Sequence, residues 1–272
     1  MVQKIDAGNR FKLTLKGGVA DSESVRLSDL IDQLKAVKDV LNSLDKRVAM
    51  ASKPTLYYRV VGLSMNSPAT IEVEAVSREG KHDFSSVIVK DFINGLKLIS
   101  SGQRPEGADY DILALFRNIA TPLKRHLSSL RLEGAGECVE VSRDIEQRVD
   151  VILGPDQVEI GSIRGSLELI DIHNNKNLFR VYPVLGAETI KCHFPSELLP
   201  NAIQGLNHFV RVHGELHIKS KERFPHYIEV DSIEILPEQH DIPSLRSLRG
   251  FAKGAYSEKS SVEHIKGMRD DW

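Results

Sequence analysis

The chain has 272 residues, is 41% hydrophobic and 27% charged, and carries a formal net charge of −2. This composition fits a globular protein long enough for two domains, and its near-neutral charge gives no bulk attraction to nucleic acid. No apolar run approaches a membrane span, and the N-terminal MVQKIDAGNRFKL lacks the apolar centre of a signal peptide, so a cytoplasmic protein without a membrane partner is expected.

Residues 1–153 read as a mixed α and β domain. Phe11, Leu13 and Leu15 alternate with polar residues in a half-buried strand that Gly17 and Gly18 end. A long helix follows, its apolar side running through Leu27, Ile31, Leu34, Val37, Leu41 and Leu44. Residues 56–63 and 70–76 read as strands around a turn at Asn66, Ser67 and Pro68. Helical patterns cover 86–99 and 110–127, and 130–153 reads as strands again.

Residues 154–238 have a more distinctive order. A long strand through Ile163, Gly165, Leu167 and Leu169 leads by a hairpin tip at 173–176 to a second strand at Phe179, Val181 and Pro183. A third strand covers 189–194. A short helix at 196–206 follows, with Ser196 as its cap. The fourth strand alternates strictly, Val210, Val212, Gly214, Leu216 and Ile218 inward, and the fifth covers 227–236. Three strands, a helix and two strands is the order of an OB-fold, which this segment resembles, although another small barrel fits the same pattern. An OB-fold implies a face for single-stranded nucleic acid, and the outward Arg180, Tyr182, Arg211, His213 and Lys219 are its candidates. Against that, 154–238 holds eight Lys or Arg and twelve Asp or Glu, a balance of −4.

Catalytic and metal signals are weak, and neither an enzyme, a metal nor a cofactor is expected. His213 and His217 lie four apart on a strand, which separates them by roughly 13 Å, too far to share an ion. Gly17-Gly18 lacks the lysine and hydroxyl of a phosphate loop, and Gly161-Ser-Ile-Arg-Gly165 puts its serine in the wrong place for a nucleophile elbow. Glu72 and Glu74 read as a solvated strand face rather than an acid/base pair. Cys138 and Cys192 match no zinc or redox spacing and read as reduced, buried thiols.

The last segment, 239–272, reads as a tether and a hook. Ser260 and Glu263 have the form of a capping box, and Val262, Ile265, Met268 and Trp272 recur at near-helical spacing with Arg269 beside them. Such a helix is too short to be stable alone, so it needs a surface, this protein's own or a partner's. The segment LRGFAKGAYSEKSSVEHIKGMRDDW resembles the C-terminal tails of antitoxins that neutralise PIN-domain ribonucleases. The matching positions are Gly250, Gly254, Ser260, Ser261, Glu263, Ile265, Arg269, Asp270, Asp271 and Trp272. The resemblance implies a partner whose metal-binding carboxylates accept a guanidinium, here Arg269, with Val262, Ile265, Met268 and Trp272 in an apolar groove. It does not extend to the small DNA-binding domains those antitoxins carry.

The expectation is therefore an α+β protein: a mixed domain over 1–153, a five-stranded OB-like barrel over 154–238, and a tail with a short helix over 239–272. Its expected function is antitoxin-like and non-enzymatic, the tail inhibiting a PIN-type ribonuclease. The alternative is a nucleic-acid-binding accessory protein in genome defence or repair.

Overall fold

Alternation at Phe11, Leu13 and Leu15 makes β1 (Arg10–Gly17), which buries those three side chains on one face. The computed structural model describes residues 8–78, 83–173, 177–184, 189–237 and 261–270, the side chains of Ser261, His264, Met268 and Asp270 excepted. Gly17 ends β1 because the chain doubles back on it. Its amide donates to the Glu23 carbonyl at 2.9 Å, and a Cβ there would stand 1.8 Å from the Ser24 oxygen.

β1 lies at the centre of an antiparallel sheet with β2 (Leu56–Ser64), β3 (Ala69–Ser77), β4 (Leu127–Gly134) and β5 (Glu137–Glu140), in the order β2-β3-β1-β4-β5. Helix α1 (Leu27–Ala49) and helix α2 (Ser85–Ser100) supply apolar faces to its core. Phe92 of α2 sits between Phe11, edge-on at 5.7 Å, and Phe116, stacked at 6.1 Å. Each such fully buried side chain contributes ~1.5–3 kcal/mol.

Several expectations need correction here. The pattern over 110–127 is two helices, α3 (Tyr110–Asn118) and α4 (Thr121–Arg125), because Pro122 has no amide hydrogen to continue α3 and starts a new first turn. Residues 145–153 are not strand but helix α5 (Ile145–Leu153), with Ile145, Val149, Ile152 and Leu153 buried at helical spacing. On α1, Leu27 and Ile31 are 71% and 41% exposed, whereas Asp29 and Gln33 are buried. The buried face is turned because Asp29 reaches His126 Nδ1 at 3.1 Å. Glu74 is not solvated either. β3 lies inside the sheet, and Arg10 and Arg59, its partners on the two neighbouring strands, cover the carboxylate at 2.8 and 2.5 Å.

The remaining strands are β6 (Asp156–Asp171), β7 (Leu178–Pro183), β8 (Ile190–His193), β9 (Phe209–Lys219) and β10 (Tyr227–Ile235). Helix α6 (Leu199–Gln204) falls between β8 and β9, after a single turn of 3-10 helix at Ser196–Leu198. The strands hydrogen-bond in the order β10-β8-β7-β6-β9, and β9 returns to β10, so this second five-stranded sheet closes on itself. β8 and β10 run parallel, and every other pair is antiparallel. A second core fills the ring, with Leu167, Phe179, Val181, Cys192, Val212 and Ile228 at its centre. It shares no residue with the first core, which is drawn from Phe11 to Leu153.

Two local readings change in the ring. Leu169 is 39% exposed, because the β6–β7 register slips between Leu167 and Leu169 and the extra residue, Glu168, inverts the alternation. Ser196 is not a helix cap. Pro195 holds that position, and the Ser196 hydroxyl accepts instead from Asn177 Nδ2 at 2.9 Å. Cys192 is buried, as expected, but Cys138 is exposed on the short strand β5, where Arg131 Nε donates to its sulfur at 2.9 Å.

Candidate functional site

Helix α7 (Ser261–Asp270) carries the described part of the tail. Val262 and Ile265 are 63% and 53% exposed, and Arg269 is exposed as well. Spacings of three and four residues put these side chains on one face of the helix. Glu263 lies in the first turn. Ser260, the expected cap, and Trp272, the expected aromatic anchor, lie outside the described residues, as does the side chain of Met268.

The residues proposed from sequence for nucleic acid divide into two groups. Arg180 and Tyr182 project from β7, which pairs with β6 and β8. Arg211, His213 and Lys219 lie on β9, on the opposite side of β6. Two of the cations are engaged within the ring: Arg211 pairs with Glu234 at 2.6 Å and Lys219 with Asp156 at 3.1 Å. Tyr182 lines a cavity of about 590 Å³ whose other wall includes Ser43, Lys46 and Arg47 of α1. His213 is exposed, whereas His217 stacks on Tyr227 with ring centres 4.0 Å apart. Among the described residues no group of three His, Cys, Asp or Glu is placed to hold a metal ion.

A cleft that sequence reasoning missed lies between α3 with its preceding loop and the β9–β10 loop. Arg104 bridges it: its guanidinium pairs with Glu222 at 2.5 Å and also donates to the Ala108 carbonyl. Beside that bridge the Tyr110 ring stacks on His226, with centres 4.6 Å apart and planes 29° from parallel. The His226 side chain is only 10% exposed. Burial holds its imidazole below the ordinary value, against the pull of Asp156. Burial likewise raises the Tyr110 hydroxyl, with Asp111 adding to the effect. Cavities of about 700 and 510 Å³ meet at Tyr110, Asp111, Thr189 and His226. These residues come from separate stretches of chain, and only the helical start at Tyr110 and the strand opening at Tyr227, next to His226, stood out locally.

Comparison with known protein families, with curated proteins and with solved structures finds no match to this chain. Among the described residues no helix is long and apolar enough to cross a membrane.

Proposed function

We propose that this chain is a non-enzymatic cytoplasmic regulator whose C-terminal helix binds and inhibits a protein partner, a PIN-type ribonuclease toxin. The observation that carries the reading is α7 itself, a ten-residue helix with Val262 and Ile265 exposed beside Arg269. A helix of that length is marginal in water, and covering its apolar face by a groove would stabilise it. The arginine suits the acidic pocket of a metal-dependent nuclease, where a guanidinium pairs with carboxylates in two parallel hydrogen bonds. The resemblance of 248–272 to antitoxin tails points to the same partner.

In this reading the ring is an OB-like barrel that serves as a folded carrier for the tail. Its strand order, the parallel β8–β10 pair and the position of α6 between the third and fourth strands support that assignment. Single-strand binding by the ring is the weaker reading, since Arg211 and Lys219 are already paired with carboxylates.

The test is co-expression with a toxic PIN-type ribonuclease, sought first in the neighbouring reading frame. The full chain should rescue growth, and a chain lacking residues 245–272 should not. Rescue that survives the deletion would end the proposal.

A further inference from the structure

The cleft between α3 and the ring has the features of a ligand site that partner binding through α7 does not use. Its larger part, about 700 Å³, is in the size range of small-molecule sites. Leaving a buried polar atom without a hydrogen bond is costly, so such atoms are uncommon and call for an explanation. Here Thr189 Oγ1 and His226 Nδ1 are both buried without a hydrogen-bond partner among the described residues, and both atoms belong to residues that line the cleft. The His226 ring cannot readily turn to find one. Tyr110 stacks on one side, and Tyr227 meets it edge-on with ring centres 5.0 Å apart.

The walls define the ligand's chemistry. Phe224, 45% exposed, and Pro225 give the larger cavity an apolar side that suits a planar ring. Lys221 and Arg223 of the β9–β10 loop are exposed and line the same cavity. Four carboxylates also line it, but Asp109 is engaged in capping α3 by accepting from the Ile112 amide, and Glu222 is paired with Arg104. Glu106 and Asp111 also face the cavity, and Lys221 Nζ donates to the Val151 carbonyl at 3.4 Å, so Arg223 is the cation best placed for an anion carried by a planar group that has its own donors and acceptors.

We propose that the cleft binds a mononucleotide, its base against Phe224 and hydrogen-bonded to Thr189 and His226, its phosphate beside Arg223. The neutral imidazole keeps one nitrogen as an acceptor and the other as a donor, so its tautomer can match the base edge. The Thr189 hydroxyl can donate or accept in the same way.

Calorimetric titration of the full-length protein with AMP, GMP, CMP and UMP tests this, with adenosine and inorganic phosphate as separate arms. At least one mononucleotide should bind, and it should bind more tightly than either inorganic phosphate or the free nucleoside. Thr189→Val and His226→Phe should each weaken that binding about tenfold, the loss expected for one hydrogen bond. Arg223→Ala should weaken the nucleotide but not the nucleoside. Independently of any variant, the bound nucleotide should slow amide exchange in 104–111 and 221–226. The proposal fails if none of the four nucleotides binds, or if Thr189→Val and His226→Phe fold and bind normally. It fails equally if inorganic phosphate binds as tightly as the nucleotide. Affinity that climbs with oligonucleotide length would also overturn it, since that would indicate an open single-strand groove instead.

Discussion

The Asp45 carboxylate near the end of α1 grips Thr55 at the entrance to β2. One oxygen accepts the Thr55 hydroxyl at 2.6 Å, and the other accepts the amides of Thr55 and Leu56 at 2.6 and 2.8 Å. Asp45 is fully buried. Its removal leaves these donors unpaired, so Asp45→Ala should cost about 3 kcal/mol, and Thr55→Val, which deletes only the hydroxyl, about 1 kcal/mol. Urea unfolding midpoints measure both, and equal losses would contradict the geometry.

Glu74 stabilises the first sheet in a pH-dependent way. Hydrogen bonds from Arg10 and then Arg59 hold its carboxyl below the ordinary carboxylate range. The folded chain therefore keeps this group ionised where the unfolded chain has begun to bind a proton. That stability is fully present above the ordinary range and is lost as pH falls through the lowered folded value. Glu74→Gln should be less stable than the parent at neutral pH, and the gap should close in acid. Parallel unfolding curves at each pH read this directly.

His226 works in the same direction, but through burial rather than through paired charges, and in a higher pH window. Its folded value lies below the ordinary one near 6.5, chiefly through burial. Between the two values the unfolded chain binds a proton that the folded chain does not, so falling pH favours unfolding. Above about 6.5 the residue adds no slope. His226→Phe keeps a ring against Tyr110 and removes the ionisation. Its stability should therefore fall less than the parent's between about pH 7 and pH 5.5, as followed by denaturant midpoints.

The tail should separate stability from binding. Ile265 is exposed, so Ile265→Asp should leave folding stability within about 0.5 kcal/mol of the parent. The same change places a charge in the proposed groove and should weaken capture of the ribonuclease at least about tenfold, as should Arg269→Ala. Pull-down with the co-expressed partner and a thermal melt of the free protein together distinguish a lost contact from a lost fold.

Much of the scaffold was legible because its signals are local. The alternation of β1 and of Val210, Val212 and Gly214 in β9, and the Val37, Leu41 and Leu44 part of the apolar period of α1, each appear where expected. What failed depended on partners distant in sequence. Asp29 is buried because His126, 97 residues on, receives it, and Leu169 faces outward because β7 sets a register slip that β6 alone does not reveal. The strand expected over 145–153 is instead α5, where Ile145, Val149 and Ile152 recur at helical spacing. The cleft was the least legible feature, since Arg104, Tyr110, Thr189 and His226 become neighbours only when α3 meets the ring.

β10 is hydrogen-bonded on both sides, to β8 and to β9, so it is the stave that seals the ring. A nascent chain halted before Tyr227 would present two raw strand borders, which invite association with other chains. The tail is translated only after this stave. During synthesis, therefore, the ring can be sealed before residues 239–272 leave the ribosome, and a chain terminated before Tyr227 would carry sticky borders and lack that segment altogether.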